Sequence, residues 1–313
     1  MLQQQFLRIA ISVAFLIAVL IFIDIDVMTS RITKMNSTWL LLALISTLPQ
    51  YYFSAKRWQI TAESLGVQLP FRVALSEYYL SAFTNQVLPG GVLGDAARAM
   101  RHGYRLSAGP VDGEFSDAVY AVMLERLSGQ LALFIFVLVG LFFWPGDIRL
   151  GSYPIMFLIC FIVLGISIFL ILIINRVSMM KLYIAFILRE ILSKSRRALF
   201  DKSVVFKQLI YSLTIVVSYL FSYYLAAKTI SLQLTIFEVF IFVPVILFSM
   251  VIPLTIAGWG IREASAAAIW SFAGLSSSDG VAISITYGVI ILLSALPGVF
   301  VLIFSSNRIE ANH

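Results

Sequence analysis

The chain has 313 residues, of which 60% are hydrophobic and only 12% are charged, and its mean hydropathy is +0.97. Globular proteins carry roughly 45–50% apolar and about 25% charged residues, so this composition excludes a water-soluble fold and indicates an integral membrane protein. The single cysteine, Cys160, excludes a disulfide or a multi-cysteine metal site within one chain. The formal net charge of +6 therefore bears first on membrane orientation and does not argue for nucleic-acid binding.

Six apolar stretches are long enough to cross the membrane as helices, which takes about 20 residues. They are Phe6–Ile23, Trp39–Ser54, Val119–Phe143, Pro154–Ile174, Val205–Ala227 and Val281–Phe304. The second stretch, Trp39–Ser54, is short, and we expect it to cross the membrane only if its aromatic ends lie at the membrane–water interfaces. The first stretch is followed directly by Asp24 and Asp26 and by no small-residue cleavage site, so we expect it to be retained as a helix.

Two further apolar regions, Phe71–Gly94 and Thr235–Gly274, contain proline and glycine in their interior. The interruptions are Pro89, Gly90, Gly91 and Gly94 in the first region and Pro253, Gly258 and Gly260 in the second. Proline removes a backbone donor and glycine weakens a helix, so neither region is predicted to be one continuous helix. Irregular backbone at membrane depth is tolerated only inside protein or beside a watery cavity. We therefore expect two broken or re-entrant hairpins that face a shared interior, with pairs of tilted spans as the alternative.

The basic residues predict the sidedness of the chain. Between Arg176 and Lys207 there are eight basic residues against two acidic ones, a net charge of 8 − 2 = +6, which places this loop in the cytoplasm. Both termini then also lie in the cytoplasm, and the basic residues divide sixteen inside to four outside. Arg126 and Arg262 remain at membrane depth. The predicted location is the cytoplasmic (inner) membrane.

The two interrupted regions share a spacing. In each, proline is followed by glycine five residues later and by arginine nine residues later, with an acidic residue close to the arginine. These residues are Pro89, Gly94, Asp95 and Arg98 in the first region and Pro253, Gly258, Arg262 and Glu263 in the second. One span precedes and one follows each hairpin, and the charge count gives the two units opposite orientations. We predict a single all-α membrane domain over residues 1–313 that contains an inverted repeat, about 39–143 and 205–304, with chance recurrence as the alternative.

Three motifs carry a family resemblance. They are Phe83-x-Asn85-x-x-Leu88-Pro89-Gly90-Gly91-x-x-Gly94-Asp95-x-x-Arg98, Glu125-Arg126-Leu127 and Pro253-x4-Gly258-x-Gly260-x-Arg262-Glu263, accompanied by Arg57-Trp58 after the second span. Together they resemble the lysylphosphatidylglycerol synthase transmembrane-region family, the flippase half of multiple peptide resistance factor and its stand-alone relatives. The resemblance covers roughly Phe6 to Phe304. It implies movement of a lipid between leaflets, with lysylphosphatidylglycerol as the best-known cargo.

The sequence departs from the bifunctional members of that family in one respect. Those members carry a soluble synthase domain after the membrane region, whereas this chain ends nine residues beyond Phe304. We therefore expect no aminoacyl transfer and no enzymatic activity, and a cargo that need not be aminoacylated.

Arg98 and Arg262 are the first candidates for substrate binding, because a charge inside the membrane costs at least about 2.5–3.5 kcal/mol and is functional by default. Each follows a glycine-rich break that can open a half-helix, whose amino terminus attracts phosphate. A guanidinium can then hold the phosphate with two parallel hydrogen bonds. For Arg98 the alternative is a basic stripe with Arg101 and Arg105 at the cytoplasmic interface.

The remaining candidate substrate-binding residues are of two kinds. Some are polar or charged, and the others are glycines, which would let a headgroup approach the backbone closely. They are Asp95, Glu263, Asn85, Gly90, Gly91, Gly94, Gly258, Gly260, Glu125 and Arg126. For Asp95 and Glu263 the alternative is simple ion pairing with the neighbouring arginines. For Asn85 the alternative is helix capping, and for Glu125 and Arg126 it is an interfacial pair that anchors the start of the helix. Glu77 and Glu238, in the entering arms of the hairpins, are candidates for a coupling proton.

The predicted function is a lipid flippase that moves an anionic phospholipid, lysylphosphatidylglycerol or a related lipid, between leaflets. The alternatives are a small-solute or ion-coupled secondary transporter and a polyprenyl-phosphate-sugar transferase that uses Asp24 and Asp26. No phosphate-binding GxxxxGK[ST] loop is present and the two histidines are far apart, so we expect neither cofactor nor metal. The expected partners are membrane lipids with anionic headgroups. A cytoplasmic partner enzyme at the basic loop and a homo-oligomer stay open.

Overall fold

The computed structural model describes residues 35–88, 93–106, 112–143, 190, 193–199, 201–202, 204–251, 258–272 and 274–310. Within these ranges all regular structure is helical, as the composition predicts. Two predicted spans, Phe6–Ile23 and Pro154–Ile174, lie outside the described residues, and so do Asp24 and Asp26.

The helices are numbered here in chain order. They are α1 (Ser37–Ser46), α2 (Leu48–Ser64), α3 (Phe71–Val87), α4 (Leu93–Leu106), α5 (Asp112–Phe142), α6 (Val205–Thr229), α7 (Ile236–Phe248), α8 (Ile261–Phe272), α9 (Ser277–Ser294) and α10 (Pro297–Glu310). A 3₁₀ turn, Ser249–Val251, extends α7, and residues 193–199 form a short helical segment before α6.

Three helical stretches of the described chain are long and apolar enough to cross a membrane. They are Phe115–Gly140 in α5, Val205–Thr229, which is α6, and Ser277–Ile303 across α9 and α10. The predictions Val119–Phe143 and Val205–Ala227 therefore correspond to continuous helices. The predicted span Val281–Phe304 is instead interrupted between Ser294 and Pro297, because proline has no amide hydrogen with which to continue the ladder of α9.

The predicted span Trp39–Ser54 is wrong at its carboxyl end, because α2 continues to Ser64. Hydropathy falls at Lys56 and Arg57, but Trp58 of the same helix is fully buried and keeps this turn in the protein core. The predicted stretch is also not one continuous helix, since α1 ends at Ser46 and α2 begins at Leu48. Pro49 is tolerated in the first turn of α2, because the backbone N–H groups there have no partner within the helix and the missing N–H of proline costs no hydrogen bond.

Helices α3 and α4 form the first predicted hairpin, and they pack against each other antiparallel. Three polar contacts set their register. These are Arg101 Nη2 to Glu77 Oε2 at 2.7 Å, Ser81 Oγ to Asp95 Oδ1 at 2.9 Å and Gly94 N to Asn85 Oδ1 at 2.8 Å. A side chain at position 94 would collide with the carbonyl oxygen of Ser81, so the glycine permits the close approach of the two arms. Pro89, Gly90 and Gly91 lie outside the described residues.

Helices α7 and α8 form the second predicted hairpin, and they pack against each other. Phe242 of α7 meets Trp270 of α8 edge to face, with 5.5 Å between ring centroids. The chain enters α8 through Gly258 and Gly260, whose φ angles are +77° and +90°. Glycine adopts this left-handed conformation without steric strain, which accounts for both glycines of the second motif.

The first predicted spans of the two repeat units, Trp39–Ser54 and Val205–Ala227, contact each other along a polar seam. Helix α2 runs antiparallel to α6, with Gln208 Nε2 donating to Thr61 Oγ1 at 2.8 Å and Arg57 Nη1 donating to Ser212 Oγ at 3.2 Å. Ser46, at the end of α1, continues the seam through a 2.8 Å hydroxyl contact with Ser222. Hydroxyl and amide side chains of this kind join helices within membranes, where apolar surfaces have no driving force to associate.

Helix α5, which follows the first hairpin, and α10, the second helix after the second hairpin, each pack on the opposite hairpin. Helix α5 lies against α7, and α10 lies against α3. Both contacts are made at a glycine, since Gly140 lies against the backbone of Ile241 and Gly298 against the backbone of Tyr79. The two hairpins are thus held between helices from both halves of the chain.

We predict that Gly94→Ala destabilises the first hairpin by about 1–3 kcal/mol, the range measured for overpacked cores, because the new methyl group meets a backbone carbonyl that cannot turn aside. Thermal unfolding of the purified protein in detergent measures the effect. Ala96→Leu, an addition on the exposed side of α4, is the control and is expected to unfold at the wild-type temperature. Equal melting of the Gly94 variant would contradict the close packing of the arms.

Candidate functional site

Five charged side chains from α2, α4 and α5 form a chain of alternating sign, called here the charge ladder. Glu125 accepts from Arg57 Nη2 at 2.7 Å with one carboxylate oxygen and from Arg98 Nη2 at 2.7 Å with the other. Asp95 Oδ1 lies 3.0 Å from Arg98 Nε and 2.6 Å from Arg126 Nη2. The order is therefore Arg57, Glu125, Arg98, Asp95 and Arg126. Asp95 pairs with two arginines, and Glu125 pairs with three, because its second oxygen also lies 3.9 Å from Arg126 Nε, so all five groups are coupled.

Polar residues of α3 hold the Asp95 carboxylate in place. Ser81 Oγ donates to Oδ1 and Asn85 Nδ2 donates to Oδ2, both at 2.9 Å. The carbonyl of the same Asn85 side chain accepts from the amide of Gly94. Asn85 therefore has the predicted capping role at the start of α4 and also orients a member of the ladder.

Aromatic rings enclose the central arginine of the ladder. The guanidinium carbon of Arg98 lies 4.6 Å from the ring centroid of Trp58 and 4.6 Å from that of Tyr78. The guanidinium carbon of Arg126 also lies over the ring of Tyr78, 5.5 Å from its centroid. A desolvated cation gains about 2 kcal/mol or more from such ring faces. Arg98 is fully buried, so the predicted alternative of an interfacial basic stripe is wrong for this residue.

The ladder carries one uncompensated positive charge, because three arginines face two carboxylates. Four members are buried, whereas the side chain of Arg126 is 37% exposed. Among the described residues, Nη1 of Arg98 and Nε of Arg126 have no hydrogen-bond partner. The site therefore has spare donors and spare charge, with Arg126 at its open end.

The ladder lies well inside the apolar stretch of α5. Glu125 follows Phe115, the first residue of the apolar stretch of α5, by ten residues, which is about 15 Å along a helix. Glu125 is fully buried between two arginines, so the alternative of an interfacial pair at the start of α5 is wrong.

A separate ion cluster lies near the start of α5. Lys194 Nζ is 2.6 Å from Asp117 Oδ1 and 2.8 Å from Glu190 Oε1, and it also lies over the ring of Tyr120. The hydrogen bond from Lys194 holds the pKa of the Glu190 carboxyl below its ordinary value. Ala198 and Leu199 pack beside Leu124, so this segment is attached to α5 by both ionic and apolar contacts.

The second predicted arginine belongs to a neutral cluster, called here the Arg262 cluster. Arg262 Nη2 lies 2.7 Å from Glu263 Oε1, and Ser284 Oγ bridges the two residues at 3.0 Å from each. The amide of Gly260 donates to the other carboxylate oxygen at 2.6 Å. Both charged side chains are buried. Internal ion pairing, the alternative interpretation of Glu263, is what the contacts show.

The two arginines with equivalent spacing have similar surroundings and different charge. Arg262 lies 4.9 Å from the ring of Trp259 and 5.6 Å from that of Tyr287, which parallels the tryptophan and tyrosine around Arg98. In both places a serine hydroxyl contacts the neighbouring carboxylate. The Arg262 cluster sums to zero charge, however, and the ladder sums to one positive charge. Among described side chains no ion pair or hydrogen bond joins the two sites.

Two carboxylates considered for proton coupling have other contacts. Glu77 is buried and paired with Arg101. Glu238 forms a capping box with Thr235 at the start of α7, which gives it a structural role.

Sequence reasoning did not select Arg57, Trp58, Tyr78 or Ser81 for the site. A signal for Arg57 was available in α2, where polar residues recur every three or four positions along one helix face. These residues are Gln50, Ser54, Arg57 and Thr61, and all four are buried. Nothing in the sequence indicates that Arg57 pairs with Glu125, which lies 68 residues away.

Long apolar helices with paired arginines and carboxylates at membrane depth define a polytopic membrane protein. The chain belongs to the family described as the lysylphosphatidylglycerol synthase TM region, whose model matches residues 5–298. This confirms the resemblance drawn from the motifs and relates the chain to membrane lipids. No curated protein and no solved structure matches the chain significantly.

We predict that Glu125→Gln destabilises the protein by about 3–5 kcal/mol, because Arg57 and Arg98 both lose the carboxylate that balances them in the interior. The free energy of unfolding in detergent measures the loss. Glu63→Gln makes the same chemical change on the exposed face of α2 and is expected to leave stability unchanged. Similar stability of the two variants would show that the ladder is not a buried ion network.

We predict that Arg262→Met alone costs about 3–5 kcal/mol, because it leaves Glu263 buried and charged without a partner. Adding Glu263→Gln is expected to restore more than half of that loss, since the glutamine oxygen can still accept from Gly260 and its amide group can donate to the Ser284 hydroxyl, without the charge. A double-mutant cycle on unfolding free energies measures the coupling. Strictly additive losses would contradict the pairing.

Proposed function

We propose that the chain is a lipid flippase that moves an anionic phospholipid between the leaflets of the cytoplasmic membrane, and that it is a transporter without enzymatic activity. The observation that carries this proposal is the uncompensated positive charge of the ladder, with Arg126 partly exposed at its open end. Membership of a family related to membrane lipids supports the choice of a lipid over a soluble ion.

In this proposal the phosphate of a lipid headgroup first meets Arg126. A guanidinium binds phosphate through two parallel hydrogen bonds, and it does so at membrane depth, where water competes little. The phosphate then competes with Asp95 for Arg126, while Asp95 keeps its contacts with Arg98, Ser81 and Asn85. Every carboxylate keeps an arginine partner during this exchange, so the headgroup can enter without leaving a buried charge unpaired. The acyl chains stay in the surrounding lipid.

The packing of the helices supports an inverted repeat for this transporter. Helix α2, in the first predicted span of one unit, is antiparallel to α6, the first span of the other, as opposite orientations require. The contacts of α5 with α7 and of α10 with α3 are reciprocal, and each is made at a glycine against a hairpin backbone. A pseudo-two-fold axis in the membrane plane generates this pattern, and transporters place their substrate sites at such repeat interfaces. Phe6–Ile23 and Pro154–Ile174 complete six spans in the proposal.

The proposed orientation rests on the basic residues. The loop between Arg176 and Lys207 holds most of the excess positive charge and is assigned to the cytoplasm with both termini. The ladder then lies closer to the cytoplasmic ends of α2 and α6, because Ser212 follows the start of α6 by only seven residues. Headgroups therefore enter the site from the cytoplasmic leaflet.

We predict that Arg126→Gln slows lipid movement at least about tenfold. A hydrogen bond to a charged group is worth about 1.5–3 kcal/mol, and each 1.4 kcal/mol is a factor of ten. The measurement is loss of fluorescence from labelled phosphatidylglycerol in proteoliposomes after a membrane-impermeant quencher is added. Arg197→Gln is the matched control, since it removes the same charge from an exposed position outside the ladder.

Two results would overturn the proposal. If the wild-type chain moves no labelled phospholipid faster than empty liposomes, it is not a phospholipid flippase. If wild type and Arg126→Gln move lipid equally fast, the ladder does not bind the headgroup. Uptake of a small solute by sealed liposomes, with no lipid movement, would favour the alternative of a secondary transporter.

A further inference from the structure

We propose that a second subsite lies beside the ladder, in the middle of the polar seam between α2 and α6, and that it binds the hydroxyl groups of a polyhydroxyl headgroup such as glycerol. It is called here the hydroxyl subsite, and Gln50, Ser54 and Trp58 of α2 form it. This inference rests on the proposed function and names the kind of group that the bound phosphate carries.

The polar seam is closed on both sides of this subsite. The hydroxyl groups of Ser46 and Ser222 lie 2.8 Å apart on one side, and Arg57 Nη1 donates to Ser212 Oγ at 3.2 Å on the other. Polar side chains of the seam therefore have partners where the helices touch directly. The buried polar residues of α2 between these two contacts behave differently.

Three buried polar atoms of α2 have no hydrogen-bond partner among the described residues. They are Gln50 Oε1, Ser54 Oγ and Trp58 Nε1, in residues that are 4%, 1% and 0% exposed. The three residues recur every four positions, so they share one face of the helix over about 12 Å. Buried polar groups are nearly always hydrogen-bonded, because an unpaired one is costly. Three on one face therefore indicate a place where a polar ligand completes the hydrogen bonding.

The hydroxyl subsite adjoins the charge ladder. The ring of Trp58 lies 4.6 Å from the guanidinium carbon of Arg98, whose Nη1 also has no hydrogen-bond partner among the described side chains. Arg98 and Arg126 lie over the same ring, that of Tyr78. A phosphate received by Arg126 is thus separated from Trp58 by one guanidinium. The group that this phosphate carries can reach the face of α2.

Helix α6 forms the opposite side of the subsite. The contact of Arg57 with Ser212 sets the antiparallel register of the two helices. Gln50 precedes Arg57 by seven residues and Tyr219 follows Ser212 by seven, so the register places Tyr219 across from Gln50. Tyr219 is half-buried and brings a phenolic hydroxyl to this part of the seam. Both sides of the subsite therefore carry groups that bond to hydroxyls.

The unpartnered atoms of α2 specify a ligand that both donates and accepts. Gln50 Oε1 only accepts, Trp58 Nε1 only donates, and Ser54 Oγ does either. A phosphate oxygen leaves the glutamine oxygen without a donor, and an ammonium group leaves the indole without an acceptor. A hydroxyl satisfies each of the three atoms. A group with several hydroxyls, attached to the phosphate at the ladder, satisfies them together.

The test compares two lipids of equal charge in the same proteoliposomes, phosphatidylglycerol and phosphatidylpropanol. Both are phosphodiesters, and they differ only in the two hydroxyl groups of the headgroup. We expect phosphatidylglycerol to move at least about tenfold faster, because a buried site that hydrogen-bonds a hydroxyl rejects an analogue without it. Equal rates for the two lipids would overturn the inference.

A double variant tests which residues cause the preference. Gln50→Met with Ser54→Ala keeps the side-chain volumes close to those of wild type and removes two of the unpartnered polar atoms. We expect the rate for phosphatidylglycerol to fall to within about twofold of that for phosphatidylpropanol. Ser222→Ala makes a similar change elsewhere in the seam and is expected to keep the wild-type preference. A preference that persists in the double variant would overturn the assignment.

The melting temperature in detergent shows whether these polar atoms have a structural role. Ser222→Ala is expected to lower it, because Ser46 loses a hydrogen-bond partner. The double variant is expected to melt no lower than wild type, because its two polar atoms have no protein partner to lose. A larger loss in the double variant than in Ser222→Ala would overturn the hydroxyl subsite.

A binding measurement separates this inference from the proposed function. Thermal stabilisation of the purified protein is recorded with the same two lipids and with soluble glycerophosphoglycerol. Stronger stabilisation by phosphatidylglycerol than by phosphatidylpropanol, without lipid movement, would overturn the flippase and support the hydroxyl subsite. Lipid movement with equal stabilisation by the two lipids would do the reverse. Stabilisation by glycerophosphoglycerol equal to that by phosphatidylglycerol would support the subsite and assign it to a soluble phosphodiester.

Discussion

The pairing of buried arginines with buried carboxylates is the constraint on which the rest of this structure depends. A guanidinium cannot lose its proton under cellular conditions, so an arginine inside a membrane protein has to be matched by an acid or by a ligand. Glu125 matches two arginines from two other helices, and this requirement brings α2, α4 and α5 together. The hairpin of α3 and α4 then follows, because Asp95 and its partners Ser81 and Asn85 must reach the same point. Packing of apolar side chains fills the remaining space without selecting these neighbours.

Much of the fold could be predicted from composition and from where proline and glycine interrupt it. Hydropathy located α5 and α6 because both are long and apolar, and the interruptions at Gly94, Gly258 and Gly260 located the two hairpins. Hydropathy failed at Arg57. Averaged over a stretch of sequence, it falls at any charged residue, whether or not a distant carboxylate neutralises that residue. The partner of that arginine is set by the fold and leaves no trace in local sequence. The same limit applies to Trp58 and Tyr78, which are ordinary aromatic residues until Arg98 lies between them.

The two arginines show how equal spacing can give unequal chemistry. Each follows its proline by nine residues, and each lies beside a tryptophan and a tyrosine. Glu263 is the immediate neighbour of Arg262 and also accepts from the backbone of Gly260, so that pair closes on itself. Arg98 has its acid three residues earlier, and that acid is shared with Arg126. Sequence analysis named both arginines as first candidates for binding, and the geometry distinguishes them, because Arg262 is balanced by Glu263 whereas the ladder has three arginines for two carboxylates.

Shared carboxylates also affect how genetic data on this protein should be interpreted. Because Glu125 belongs to three ion pairs and Asp95 to two, truncating any one of the five ladder residues changes the electrostatic state of the other four. A scan of single alanine substitutions would therefore mark every ladder position as essential, whatever each residue does, and the individual losses would sum to more than the whole. Substitutions in compensating pairs avoid this ambiguity, because they keep the number of buried charges balanced while one identity changes. In this protein the informative unit of mutation is the pair.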